Sequence, residues 1–405
     1  MTRTLAAGAL VLVSTLAGAS AGSTAPSPGV TATSILLGGT VPLSGQASKF
    51  GVVGPSAAAY FKYVNAHGGV FGRKIKYTYL DDGYDASRTV EQTRRLVQDD
   101  KVFAIFNSVG TEHNIAIRSY LNAAKVPQLF VGTGADAIGR GYKSSPWTMG
   151  YLPSFSGEGA IYGRYIARTR PRAKIAVLFE DSEYGQDLLN GLRAGLGSKA
   201  GAIVAKQTYN VFDEDVRSQI VKLRGSKADA LMIFALPTQA IQAFIYADQL
   251  GWRPKIFVSA VSIEPTVMGI ARTTTHNHTT EGAISVIFLK DPTSPRWARD
   301  RAVRLYRKIL RSYDPGARPS DVYNYYGMAV AFTMVDALKR AGKNLTRESL
   351  LRAATHLREA NNPFLLPGIV IKTSPTNYFP ISKARLARYH KGRWALFGGL
   401  VAARR

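Results

Sequence analysis

From residue 34 onward, short apolar runs alternate with amphipathic helical stretches, and that rhythm narrows the fold more than any motif. Runs such as Lys174–Phe179 and Ala230–Ala235 have no polar face, which suits strands of a parallel sheet covered by helices on both sides. Before Pro153 the order reads strand Ser34–Val41, helix Pro55–Asn65, strand Lys74–Leu80, helix Val90–Asp99, strand Val102–Phe106, helix Asn114–Ala124 and strand Gln128–Val131. After Pro153 it restarts with helix Gly157–Arg168, strand Lys174–Phe179, helix Gln186–Ser198 and strand Ala202–Thr208. It goes on through Val216–Arg224, Ala230–Ala235, Thr238–Leu250 and Lys255–Ser259. The pattern predicts two doubly wound, Rossmann-like α/β lobes, one on each side of Pro153. A later stretch, with a strand at Gly282–Phe288 and helices at Pro295–Ser312 and Val322–Ala341, is expected to return to the first lobe.

The first 33 residues follow another logic. One arginine precedes the apolar run Leu5–Ala19, and Ala19-Ser20-Ala21 offers small side chains for a signal peptidase. The run is shorter than the roughly 20 apolar residues a membrane span requires. Residues 1–21 are therefore expected to be a cleaved signal peptide, and residues 22–33 a disordered leader. The mature protein is expected to be periplasmic or secreted.

Composition excludes several chemistries. With no cysteine, the chain has no disulfide framework, thiol catalysis, cysteine-ligated metal or cysteine-linked lipid. The formal charge is +25, but the basic residues are scattered over nearly every helix rather than gathered in an aromatic-lined groove. That spacing reads as solvated surface, so nucleic acid is not an expected partner. No Gly-x-Ser-x-Gly, phosphate loop or His-Glu-x-x-His occurs, so no enzymatic activity is expected. Gly132–Gly139 imitates a dinucleotide fingerprint with its third glycine two places late. His276, His278 and Glu281 sit among threonines and read as a solvated loop, and Asp81, Asp82 and Asp85 lack calcium-loop spacing. No metal and no cofactor are expected.

In doubly wound sheets, ligands bind beyond the carboxyl ends of the strands, where loops meet helix N-termini. Those loops are Leu43–Gly51, Asn107–Thr111 and Gly132–Ala135 in the first lobe, with Glu180–Gly185 and Ser259–Ser262 in the second. Their Gly, Ser and Thr content suits a small carboxylate. Phe50, Tyr184 and one or more of Tyr323, Tyr325 and Tyr326 are candidates to wall its apolar part.

The ordered segments "VPLSG", "FGVVGPSAAAYFKYVNAHGGVFGRKIKYTYLDDGYD", "NAAKVPQLFVGTG", "KIAVLFEDSEYGQDL", "ADALMIFALPTQAIQAFIYADQLGW" and "YNYYGMAVAFTMVDALKRAG" resemble the leucine/isoleucine/valine-binding protein family. These are type I periplasmic substrate-binding proteins of ABC importers. The resemblance covers nearly all of the chain after residue 33. It implies two lobes joined by a three-strand hinge, the first from residues 34–152 and 283–360, the second from 153–282 and 361–405. The implied activity is capture of a small ligand by hinge closure, as a monomer, and delivery to a membrane ABC permease. Soluble ligand sensing for a membrane receptor is the alternative, since one fold serves both uses.

By the same resemblance, Phe50 flanks the ligand and Thr111 donates a hydroxyl to its carboxylate. Gly132, Thr133 and Gly134 add donors, and Tyr184 is an aromatic from the second lobe. From the strand-end loops, Ser259 and Ala260 are expected to face the ligand from the same lobe, with Tyr323 and Tyr325 as candidate walls. Amino-acid binders of the family place an acidic residue where this chain reads Ser259-Ala260-Val261-Ser262, and Glu264 reaches that position only with a shift. Leu236-Pro237 stands where such binders carry a tyrosine. Both departures lead to the expectation of an apolar carboxylate without an amino group, an aromatic or aliphatic acid.

Overall fold

The computed structural model describes residues 27–403, together with Thr2. The expected signal peptide lies outside the described residues. Part of the expected leader is ordered: Val30 is buried, and a Cβ on Gly29 would sit 2.2 Å from the Phe103 backbone nitrogen. Residues 27–33 thus form a plug against the first sheet, a contact that its Ser, Thr and Pro content does not reveal.

The first sheet is fully parallel, in the order β2-β1-β3-β4-β5, from β1 (Ser34–Val41), β2 (Lys74–Asp81), β3 (Ala104–Phe106), β4 (Gln128–Val131) and β5 (Thr148–Gly150). Its helices are α1 (Val53–Ala66), α2 (Ala86–Gln98), α3 (Thr111–Ala123) and the single turn α4 (Asp136–Gly139). The chain then crosses to α5 (Phe155–Thr169), β6 (Ile175–Glu180), α6 (Glu183–Leu196), β7 (Ile203–Tyr209) and α7 (Arg217–Gly225). It continues through β8 (Ala230–Phe234), α8 (Pro237–Gln249), β9 (Lys255–Val258), α9 (Pro265–Thr274) and β10 (Ile284–Ile287). Then α10 (Arg301–Tyr313) and α11 (Val322–Ala341) return to pack on α1, followed by α12 (Arg347–Ala354) and the small pair β11 (Arg358–Glu359) and β12 (Ile371–Lys372).

The last strands, β13 (Lys383–His390) and β14 (Arg393–Ala402), join the second sheet, whose order is β14-β13-β10-β9-β8-β6-β7. They pair antiparallel through a two-residue turn, Lys391-Gly392, with φ of 49° and 79°. Positive φ at both positions is what a tight hairpin needs to match strand twist.

The expected division at 283 and 360 shifts on both sides. Residues 284–287 pair with β9 and β13, so the second crossover follows β10. Residues 361–381 stay with the first lobe, where Tyr378 Oη donates to the Pro146 carbonyl and Phe364 stacks edge-on to Tyr60.

Helices α5 and α6 meet at unusually short range. A Cβ on Gly159 would lie 2.1 Å from the Leu188 carbonyl oxygen, and one on Gly191 would lie 2.0 Å from that of Ser156. Small residues at this crossing let the two backbones touch, and that contact sets how the first turn of α5 faces the other lobe.

Candidate functional site

Strand ends and helix N-termini from both sheets converge on a cavity of about 430 Å³ between the lobes. On the first-lobe wall, Gly110 turns the chain into α3 with φ of 106°, and a Cβ there would stand 2.3 Å from His113 Nδ1. Glycine satisfies both demands, but it provides no side-chain cap for α3. The first-turn N–H groups of a helix have no intrahelical acceptor, and here they end at the wall formed by Gly110, Thr111, Glu112 and His113. The helix dipole adds partial positive charge at that end. Thr111 Oγ1 shares a 2.7 Å hydrogen bond with Thr133 Oγ1, which in turn accepts from Ala135 N at 3.1 Å. Thr133 therefore orients the Thr111 hydroxyl from behind.

The second-lobe wall is largely apolar, interrupted by the carboxyl residues Glu158, Glu180 and Asp181 and by Ser182 and Asn210. Glu158, in the first turn of α5, lines the cavity and is 3% exposed. Its Oε1 accepts from Ala260 N at 2.8 Å and from Tyr162 Oη at 2.9 Å. Burial pushes the Glu158 carboxyl up to about 7, against the opposing pull of those donors. Ser259 Oγ, buried and without a hydrogen bond of ordinary geometry, lies beside the Glu158 carboxyl and the Tyr184 hydroxyl. Deeper on the same side, Glu180 accepts from Tyr209 Oη at 3.1 Å and is also raised by burial.

Hydrogen bonds from several elements tie the lobes together beside the cavity. Glu183 N donates to Glu112 Oε1 at 2.9 Å, Tyr323 Oη donates to the Val261 carbonyl at 2.7 Å, and Asp136 N donates to Asp187 Oδ2 at 2.7 Å. The Asp136 carboxylate takes Ser154 Oγ, Ser156 Oγ and Arg140 Nε, while burial raises Asp187 to about 7.

The structure brings together Phe50, Thr111, Gly132, Tyr184, Ala260 and Tyr323 at the cavity. Phe50 and Tyr323 meet edge to face at 5.0 Å, and Tyr184 meets Phe155 at 4.9 Å. Four expected residues do not line it. Thr133 stands one layer behind Thr111, Gly134 is pressed against the Pro153 carbonyl, and Ser259 lies beneath Glu158. Tyr325 points the opposite way from Tyr323, into the core against Tyr306 and Phe364, because two residues turn a helix by about 200°. Nor is the Gly132–Gly134 loop an open row of donors: Gly132 N is committed to the Ser108 carbonyl and Thr133 N to that of Val131. Glu264 is spent on capping α9, accepting from Thr266 N and Val267 N. Sequence reasoning missed Glu158, whose only signal was an acid among small residues at the start of a helix with an otherwise buried face.

Comparison with known proteins fits this geometry. Residues 34–393 match the model of a family described as periplasmic binding protein. A Leu/Ile/Val-binding protein homolog from Brucella abortus is 27% identical over 215 residues, covering 50% of this chain and 53% of that protein. An amino acid binding protein from Pseudomonas aeruginosa is 26% identical over 51% of this chain and 55% of its own length. The chain thus spans about half the length of the curated relatives it matches. Among solved structures, a branched-chain amino acid ABC transporter protein from Thermus thermophilus with bound valine superposes with a TM-score of 0.79 at 18% identity, over 91% of this chain and 96% of that one. A fatty acid ABC transporter substrate-binding protein from Thermomonospora curvata gives 0.77 at 21% identity, over 93% and 95%. With its two sheets, the cavity between them and the family match over most of its length, the chain belongs to the periplasmic binding protein family.

Proposed function

We propose that this chain is the extracytoplasmic substrate-binding protein of an ABC importer, exported by residues 1–21, which captures a small apolar carboxylate by hinge closure. The ligand class comprises aromatic acids, aliphatic acids and amino acids. The observation that carries the reading is the uncapped N-terminus of α3, with the Thr111 hydroxyl beside it, opening on a largely apolar cavity between two lobes. Backbone N–H groups and a hydroxyl at a helix N-terminus suit a carboxylate, and the aromatic rings of Phe50, Tyr184 and Tyr323 suit an apolar body. The lobes divide as 34–152 with 288–381, and 153–287 with 382–403, so three crossovers form the hinge. Closure is then a population shift limited by the ligand's preference for the closed state.

The protein acts by binding, as a monomer, with a membrane permease as its partner and no catalytic step. Its +25 charge favours contact with an anionic envelope and speeds encounter with anionic ligands. A thermal-shift and calorimetry panel of amino acids, aromatic acids and fatty acids on residues 22–405 tests the reading. At least one carboxylate should raise the melting temperature progressively with its concentration, worth about 2.7 kcal/mol at a hundred times Kd, and give a saturable calorimetric isotherm. A panel with no binder would overturn it.

A further inference from the structure

We propose that a second cavity, beside the hinge, binds a small multivalent oxyanion between Arg296 of the first lobe and Arg393 of the second. The site does not depend on which ligand enters the inter-lobe cavity. Its effect on closure rests on the lobe division proposed above.

This cavity measures about 410 Å³, and its walls come from three segments. Ile287, Leu289 and Asp291 form one wall, as alternate residues on one side of the chain that leaves β10. The single turn Pro295–Trp297 supplies the first-lobe lip, and the β13–β14 hairpin, from His390 to Leu396, supplies the second-lobe lip. Ile287, Leu289, Asp291 and Trp394 also line the inter-lobe cavity, so the two spaces share a wall.

Charge identifies the guest. Arg296, His390, Lys391 and Arg393 line the cavity against one acid, Asp291. Asp291 Oδ1 accepts from Thr293 N at 2.8 Å and from Thr293 Oγ1 at 2.7 Å, while Glu281 takes His390 Nδ1 and Lys391 N. Arg296 and Arg393 are exposed and make no salt bridge among the described residues. The aromatic surfaces beside them are fixed. Trp394 is buried and its Nε1 donates to the Ile263 carbonyl at 3.0 Å. Arg296 lies over the Trp297 ring at 5.1 Å, and Lys290, paired with Asp300, lies over the same ring at 5.4 Å.

A guanidinium presents a planar fork of N–H donors that matches the oxygens of an oxyanion. With one fork on each lip, the guest needs acceptors at two ends. Like charges on facing lips also repel each other when the lobes close, and a guest with two or more negative charges cancels that repulsion. Its binding therefore favours the closed state.

The experiment uses pyrophosphate against nitrate, neither of them a carboxylate. Calorimetry on residues 22–405 is run in about 0.15 M sodium chloride, where diffuse attraction is screened within about 8 Å. Pyrophosphate should bind saturably at one site, at least tenfold tighter than nitrate. Arg296→Gln and Arg393→Gln should each weaken it at least tenfold. Arg311→Gln, which removes the same charge from the exposed face of α10, should leave it unchanged. Pyrophosphate should also lower the radius of gyration of the wild type in small-angle scattering. No saturable binding, or equal losses from all three variants, overturns the proposal and leaves the carboxylate reading of the inter-lobe cavity standing. Loss in only one of the two lip variants, or binding without compaction, overturns the bridge between the lobes.

Discussion

Two buried glutamates, Glu158 in the second lobe and Glu359 in the first, form a natural comparison. Neither makes a salt bridge among the described residues, both accept two side-chain or backbone donors on Oε1, and burial pushes both up to about 7. The second oxygens differ. Glu359 Oε2 is sealed in the core beside Thr333 and Asn362, with no hydrogen-bond partner among the described residues. Glu158 Oε2 belongs to a residue at the cavity wall. The same desolvation is a structural fact in one place and an opening for recognition in the other. A shifted carboxyl therefore carries no functional meaning until its free oxygen is located.

The largest effect that separates the two is the pH dependence of stability. A carboxyl raised from 4.5 to about 7 on folding holds its proton more tightly in the folded state. Stability is then highest below about pH 4.5 and falls as pH rises to about 7, by on the order of 3 kcal/mol for each such group. Glu359→Gln should flatten this slope whether or not ligand is present. Glu158→Gln should flatten it most in the ligand-free protein, since a ligand seated in the cavity changes the surroundings of Glu158 and not those of Glu359. Urea unfolding at pH 5 and pH 8, with and without leucine, reads both; a ligand that alters the Glu359 contribution instead would break the comparison.

Geometry rather than charge sets the next effect. Gly191→Val pushes a branched side chain against the Ser156 carbonyl, where even a Cβ would stand at 2.0 Å. Forcing α5 and α6 apart should cost about 3 kcal/mol of stability and displace Glu158. The Glu359 share of the pH slope should survive, because no part of its cluster touches that crossing. Smaller again is Thr111→Ala, which should weaken binding by about 2 kcal/mol in calorimetry by leaving a ligand oxygen unpaired, while Thr111→Ser retains most affinity. Equal losses in both variants would show that the methyl group, and not the hydroxyl, matters at that wall.

Much of this arrangement is legible in the sequence because parallel sheets write themselves as apolar runs and place their loops in a fixed order. Phe50, Thr111, Tyr184 and Ala260 reach the cavity by that rule. What escapes it depends on three-dimensional neighbours. Residues 383–402 read as scattered basic and apolar positions, yet they add a hairpin to the second sheet because one face of β13 is buried. Gly132 looks like a donor until the Ser108 carbonyl claims its N–H. Glu158 and Ala260 are 102 residues apart in the chain and meet only in the fold.

The smallest predicted effect concerns the contact between lobes. Glu112 Oε1 accepts from Glu183 N, so the uncapped end of α3 carries a side chain that reaches the first turn of α6 in the other lobe. That bond exists only when the halves are together, and its carboxylate also meets the positive end of the α6 dipole. Glu112 is exposed at the cleft rim, where such a bond contributes about 0.5–1.5 kcal/mol. Glu112→Ala should leave the unfolding curve nearly unchanged, lower affinity by a few-fold, and increase the radius of gyration of the unliganded protein in small-angle scattering. Saturating ligand should restore the compact value, since ligand contacts outweigh one lost rim bond. Compaction that needs Glu112 even with ligand bound would instead make closure a property of the rim rather than of the cavity. Glu158 would then be a buried acid of the same kind as Glu359.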